Sequence, residues 1–231
     1  MKIPGFASAA SALRYWERRQ EVAAHNLANV STDGFKGQRV FARMIDDALP
    51  VADTATDLRP GTLKPTGSPL DVALDGPGFL VVDTANGERW SRGGSFRLDE
   101  MGQVVDGSGN ALMGEGGPVV LPEGASVAVD REGVLRVDGR EVARLRIEMA
   151  PPGARLEHEA GTLFVPPMGR APADVAERQV RQGFLEESNV GTVGSLVDMI
   201  SVQRAYAAVQ KTVTTLDGVR QTISNEIGKP V

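Results

Sequence analysis

The sequence contains no cysteine. That excludes a disulfide framework, a thiolate metal site and a cysteine nucleophile. Histidine is nearly as scarce. His25 and His158 are the only two and lie far apart in the chain, so no histidine pair stands at metal-ligand spacing. Aromatic residues make up 5% of the chain, too few for a base-stacking surface. A formal net charge of -5 offers no broad basic footprint, so no nucleic-acid partner is expected. No apolar run reaches the roughly 18 residues of a membrane span, so no membrane insertion is expected. The first residues lack a basic stretch followed by an apolar one, so no cleavable secretory signal is expected.

Catalytic patterns are missing as well. Neither G-x-S-x-G nor G-x-x-x-x-G-K-[ST] occurs. Asp106, Ser108 and Asn110 imitate the opening ligands of a calcium loop. Ala111 then replaces the loop glycine, and Gly117 replaces the bidentate glutamate. Gly114-Glu115-Gly116-Gly117 lacks the strand-then-helix setting of a phosphate loop and reads as a turn. Glu157-His158-Glu159 reads as exposed loop charge, and His25 as a surface or packing residue. The residues call for no enzyme, no metal and no cofactor.

What is present is a contrast between the ends and the middle. Ser195, Met199, Val202, Tyr206, Val209, Val213, Leu216, Arg220, Ile223 and Ile227 follow one another in steps of four and three. That is the heptad seam of a helix lying along another helix. At about 1.5 Å per residue such a helix reaches roughly 50 Å. Leu196, Val197, Ile200, Ala205, Ala207, Ala208 and Val219 lie off the seam, and a helix apolar on more than one side is buried on more than one side. Near the N-terminus, Phe6, Leu13, Gln20 and Leu27 form one column, and Ala9, Trp16, Ala23 and Val30 another. The two end helices are expected to pair with each other. The first should stop within Asn29-Val30-Ser31-Thr32-Asp33-Gly34, whose residues compete for backbone hydrogen bonds or accept positive φ.

Between the ends the period falls to two. After a short apolar segment (40–49) and a proline-rich stretch (50–69), segments such as Leu70–Leu74, Phe79–Val82, Val119–Leu121, Val134–Val137 and Val142–Met149 read as strands. Asn86-Gly87, Asp106-Gly107 and Asp138-Gly139 separate some of them and are hairpin turns. Regular short strands of this kind make an antiparallel all-β domain, a sandwich or partly open barrel. The expected division is an N-terminal helix (1–32), an extended connector (33–69), an all-β domain (70–178), a return segment (179–190) and a C-terminal helix (191–231).

Four motifs resemble one family. Asn26-Leu27-Ala28-Asn29-Val30-Ser31-Thr32-Asp33-Gly34-Phe35-Lys36 is similar to the N-terminal signature of the bacterial flagellar axial proteins of rod and hook, with His25 where that family has Asn. Gln182-Gly183-Phe184-Leu185-Glu186-Glu187-Ser188-Asn189-Val190 resembles its second signature and Gln203-Arg204-Ala205-Tyr206 its third. Leu70-Asp71-Val72-Ala73-Leu74 through Gly78-Phe79-Leu80-Val81-Val82 looks like the segment that opens its β domain. The short chain suits the rod members. Pro69–Leu74 and Gly117–Gly124 resemble the proximal rod, with the distal rod as the alternative.

The resemblance implies a mixed fold in which long N- and C-terminal helices form a coiled coil around a central antiparallel β domain. It implies a structural, non-enzymatic subunit of the flagellar basal-body rod. Such a subunit leaves through the flagellar type III export apparatus without a cleavable signal and assembles in the periplasm. Its partners are copies of itself and other rod and hook axial proteins. Asn26, Leu27, Asn29, Phe35, Asn189, Val202, Arg204, Tyr206, Val209, Val213 and Leu216 are the expected subunit-interface positions. The helical ends are expected to be protease-labile in the free monomer and to order on assembly. Two other classes also fit parts of the pattern, a secreted fibre or adhesin module with a coiled-coil stalk and a cell-wall hydrolase.

Overall fold

The computed structural model describes residues 4–43, 51–175 and 178–227. Helix α1 covers Pro4–Ala28 and helix α2 covers Thr192–Ile227, flanking a central run of short strands. Pro4 opens α1, where its missing N–H removes no helical bond. The helix ends as the Thr32 amide turns back to the Asn29 carbonyl at 3.1 Å.

Three strands follow α1: β1 (Gln38–Arg43), β2 (Val51–Thr56) and β3 (Leu63–Pro65). Next come β4 (Val72–Leu74), β5 (Phe79–Thr84), β6 (Gly87–Ser91), β7 (Arg97–Leu98) and β8 (Val104–Val105). Then come β9 (Ala111–Gly114), β10 (Gly117–Pro118), β11 (Val127–Val129), β12 (Val134–Val137) and β13 (Arg140–Arg144). The last are β14 (Ile147–Met149), β15 (Glu157–Ala160), β16 (Leu163–Val165), β17 (Ala171–Pro172), β18 (Val180–Gln182) and β19 (Phe184–Glu186).

The chain divides into two compact units. The first holds α1, β1, the body of β2 and α2; β1 and β2 pair in a two-stranded sheet. Here α1 packs against α2 and against β1. The α2 seam is the covered side of the helix. Val202 is 1% exposed, and Ser195, Met199, Tyr206, Val209 and Val213 are half-buried. Further along, Leu216 and Arg220 are exposed. The reason is length: α2 has 36 residues and α1 has 25. The side chains of Phe6, Ile223 and Ile227, part of the 40–49 apolar segment and the last four residues lie outside the described residues.

The second unit comprises residues 29–37 and 56–190. Its main sheet runs β15-β16-β6-β5-β9-β8-β7, with β10, β14 and β17 joined beside it. Strand β5 is covered on both faces. Leu80 and Val82 enter the larger core cluster, while Phe79 and Val81 enter a second one with Trp90, Leu156 and Phe164. A strand buried on both sides is apolar without alternation, which explains the unbroken Phe79-Leu80-Val81-Val82. Strands β11, β12 and β13 form a separate sheet. Its Asp138-Gly139 turn has φ of 49° and 82°, the left-handed pair that a tight hairpin needs.

Some expectations change. The stretch 33–69 is not only an extended connector, since it carries β1, β2 and β3. Val119–Leu121 is reduced to a single bridge between Gln103 and Val120. Glu157-His158-Glu159 lies on a strand instead of a loop, because β15 pairs with β16 and β16 with β6. The return strand breaks at Gly183 (φ 76°), so β18 pairs with β4 and β19 with β3.

Candidate functional site

The segments 34–36 and 185–189 meet in the β unit although about 150 residues separate them in the chain. The Gly34 amide donates to the Glu186 carbonyl at 2.5 Å, and the Asn189 amide to the Phe35 carbonyl at 3.3 Å. Gly34 has φ 74°, and a Cβ there would lie 2.3 Å from the Arg92 carbonyl carbon. Only glycine fits a backbone that comes this close in this conformation.

Beneath this clasp lies a buried ionic cluster. Lys36 and Glu186 are each 1% exposed and Arg92 is 6% exposed. Lys36 Nζ donates to Glu186 Oε1 at 2.5 Å and to the Arg59 carbonyl at 2.8 Å. The same Oε1 accepts from the Gly61 amide at 2.7 Å. Oε2 accepts from Arg92 Nη1 at 3.1 Å. Arg92 also donates to the Leu74 carbonyl at 3.2 Å and the Gly76 carbonyl at 2.6 Å, and its guanidinium lies over the Phe79 ring. Among the described residues its Nε has no partner. Burial pulls the Lys36 ammonium below its ordinary range, with Glu186 pulling the other way. Arg92 is lowered for the same first reason and stays charged. One carboxylate thus holds two cations and a backbone amide together, which only a single register of the two segments allows.

The signature asparagines are used on backbone. Asn189 Oδ1 accepts from the Gly37 amide at 2.8 Å, and its Nδ2 donates to the carbonyls of Asp57 and Arg59 at 2.7 and 3.0 Å. In the helical unit Asn26 exchanges both its amide bonds with Gln38, at 2.8 and 2.9 Å. Asn29 Oδ1 accepts from the Thr32 hydroxyl at 3.2 Å. Phe35 is fully buried and sits edge-on to His158, itself edge-on to Phe164. His158 is therefore an aromatic packing residue.

The other expected positions are spread along the helices. Leu27, Tyr206, Val209 and Val213 are half-buried, Val202 is buried, and Arg204 and Leu216 are exposed. Sequence reasoning missed the Lys36–Glu186–Arg92 cluster. Lys36 and Glu186 both lie inside the signatures, but nothing local tells that their charges are buried together. Asp106, the first residue of the calcium-like run, uses its carboxylate on the Ser108 and Asn110 amides. Among the described residues no group of three or more His, Cys, Asp or Glu could hold a metal ion, and no helix is long and apolar enough to cross a membrane.

Helices at the two ends of the chain, an antiparallel β domain between them in sequence, and two segments of the β unit clasped by backbone bonds and a buried ion cluster define a structural class of protein. Three family models match in order along the chain. They are "Flagella basal body rod protein" over residues 6–36, "Flagellar hook protein FlgE/F/G D1 domain" over 73–137, and "Flagellar basal body rod FlgEFG protein C-terminal" over 181–226. Similar proteins include the flagellar basal-body rod protein FlgF of Escherichia coli, 32% identical, with 86% of this chain and 88% of that one covered. The FlgF of Caulobacter vibrioides is 28% identical over 92% of this chain and 93% of its own length. The FlgG of Bacillus subtilis is 28% identical over 94% and 97%. The chain belongs to the flagellar basal-body rod protein family. It is a structural rod subunit of the proximal-rod type.

Proposed function

We propose that this subunit builds the rod through its end helices. They act as a coiled-coil inner layer (1–32 and 191–231), joined through 33–69 and 179–190 to the β domain of 70–178. The single observation that carries the reading is an apolar stripe on α2. Val193, Leu196, Val197 and Ile200 are 75%, 46%, 59% and 50% exposed. Their spacing of three, four and seven puts them on one helix face, turned away from the Val202 seam. A helix already covered on one side by α1 still presents an apolar side to water, and a neighbouring copy is the economical cover.

Subunits join head-to-tail, because a heterologous contact that does not close gives a filament. Arg204 and Leu216, both exposed, contribute to the interface directly. Asn26, Leu27, Asn29, Phe35, Asn189, Val202, Tyr206, Val209 and Val213 serve it by fixing the backbone and the helix from which it is built. The protein acts without catalysis, leaves through the flagellar type III export apparatus and assembles in the periplasm with other rod and hook axial proteins. The test is truncation of residues 1–30 or 191–231 in the parent bacterium. Loss of swimming, with the remaining β domain soluble and folded, is expected. Normal swimming by either truncation sinks the reading.

A further inference from the structure

A second pair of surfaces in the β unit has no role in the clasp. One is a hollow of about 790 Å³ beside the β7–β8 turn. Leu98, Met101 and Val120 supply apolar walls, while Asp99, Glu100 and Glu123 supply charge, with no basic residue in the lining. Met101 is 72% exposed and Val120 53%. The other is a promontory made of two turns. The β14–β15 turn reads Ala150-Pro151-Pro152-Gly153-Ala154-Arg155, and the β16–β17 turn reads Pro166-Pro167-Met168-Gly169-Arg170. They lean on each other, since a side chain at Gly169 would lie 4.0 Å from Pro151 Cγ. Met168 stands at the tip, 98% exposed. Neither turn contains an acid and each contains an arginine. Arg170 pairs with Glu88 at 2.8 Å and with Glu148 at 3.4 Å, and its side chain is 35% exposed.

Hollow and promontory are complementary in polarity and in the sign of their charged residues. Four prolines hold the promontory in one shape, so little freedom is lost when Met168 is buried. A flexible thioether suits an irregular apolar hollow, and the arginines of the turns are opposite in sign to Glu100 and Glu123 of the hollow, whose third carboxylate, Asp99, accepts from the Met101 and Gln103 amides. Within one chain the surfaces stand apart. The hollow lies at the β7–β8 end of the sheet order, whereas the two turns link β14 and β17, which join the sheet at β5, to β15 and β16 at the other end. A knob and a socket on different parts of one domain make a heterologous contact, the kind that can repeat from copy to copy without closing on itself.

We propose that the Met168 promontory of one copy docks in the Met101–Val120 hollow of the next, a contact between β domains in addition to that of the helices. It rests on the rod reading above. The absence of cysteine makes the test clean. The double variant Met101→Cys, Met168→Cys replaces the wild-type copy in the parent bacterium, and cells are oxidised before denaturing, non-reducing electrophoresis. Dimers and larger species of this chain are expected from the double variant, and none from either single variant. Val120→Cys with Met168→Cys, a second pair, should link in the same way. Adding Glu100→Lys and Glu123→Lys should lower linking at least tenfold. Swimming cells in which both pairs stay monomeric overturn the docking and leave the rod reading standing. Dimers from Met168→Cys alone, linkage within one chain, or linkage to a different protein overturn it as well.

Discussion

The two units treat their costly groups in opposite ways. Among the charges that the β unit buries, Lys36 and Arg92 share the carboxylate of a third, Glu186. The helical unit does the reverse, leaving Val193, Leu196, Val197 and Ile200 in water. Stability and function are thus divided. The β unit gives its buried Lys36 and Arg92 a carboxylate from its own chain, while α2 keeps an apolar stripe uncovered. The clasp has to be right in every copy before any neighbour arrives. The helical stripe gains its worth only from the neighbour.

The largest expected effect comes from breaking the clasp. Glu186→Ala leaves Lys36 and Arg92 buried without their counter-charge. Removing one partner of a buried pair costs about 3–5 kcal/mol. For a chain of this size that lowers the melting temperature by about 10 °C. Calorimetry of the purified full chain measures it. If Glu186→Ala melts within 2 °C of the wild type, to take an approximate threshold from the spread of surface substitutions, the cluster is not the fastening described here. The triple variant Lys36→Met, Arg92→Leu, Glu186→Leu should recover part of the loss, since apolar groups of similar volume often replace a buried ion cluster at little cost.

A pair of changes on α2 sharpens the contrast from the other side. Val202→Ala removes a buried side chain, and core truncations of this kind cost about 1–3 kcal/mol in the monomer. Replacing Val193, Leu196, Val197 and Ile200 by serine should change monomer stability by only about 0.5 kcal/mol per site or less, because all four are exposed. Yet this four-site variant should stop swimming, while Val202→Ala slows it at most. Motility plates and monomer melting curves, read together, separate the two roles. A swimming four-site variant would mean that the exposed stripe is idle.

Much of this arrangement is legible in residues that act locally. The steps from Ser195 to Val213 foretell the covered side of α2, and the Asp138-Gly139 pair foretells its turn. The Gly34-Phe35-Lys36 and Leu185-Glu186 signatures mark the segments that meet. What could not be read depends on distant pairing. Strands β1, β2 and β3 lie in a stretch whose prolines and threonines favour extended chain without naming a partner, and β19 arrives to pair with β3 from about 120 residues away. Glu157-His158-Glu159 looks like loop charge until Phe164 and Trp90 draw β16 against β6. The ion cluster is invisible for the same reason, since burial of Lys36 is decided by where Glu186 and Arg92 end up. The prolines around Met168 likewise show a turn without showing that it stands out into solvent.

A smaller effect is expected from acid. Glu88 lies between Arg146, at 2.7 Å, and Arg170, at 2.8 Å. The hydrogen bonds from Arg146 chiefly hold its carboxyl below the ordinary value of 4.5. A carboxylate lowered on folding adds stability above its unfolded value, and that stability is lost as pH falls through the folded value. Stability should therefore decline on the acid side of about pH 4.5, and Glu88→Gln should flatten that limb while leaving its neutral plateau lower. Urea midpoints taken between neutral pH and pH 3 decide it. An unchanged acid limb in Glu88→Gln would assign the decline to other carboxylates.

The least effect is expected where a contact looks most like an inter-helix fastening. Arg19 Nη2 on α1 meets Asp198 Oδ1 on α2 at 2.8 Å, but the two side chains are 31% and 48% exposed. In water such a pair gains little over two solvated ions and loses side-chain freedom, so Asp198→Asn should cost about 0.5 kcal/mol or less. The loss should shrink further in 1 M salt, where screening acts within a few ångströms. A loss above about 1.5 kcal/mol, outside the range of exposed pairs, would mean that charge, and not the apolar seam around Val202, holds α1 to α2. The contrast between a β unit fastened by ions and a helical unit fastened by apolar contact would then fail at its second half.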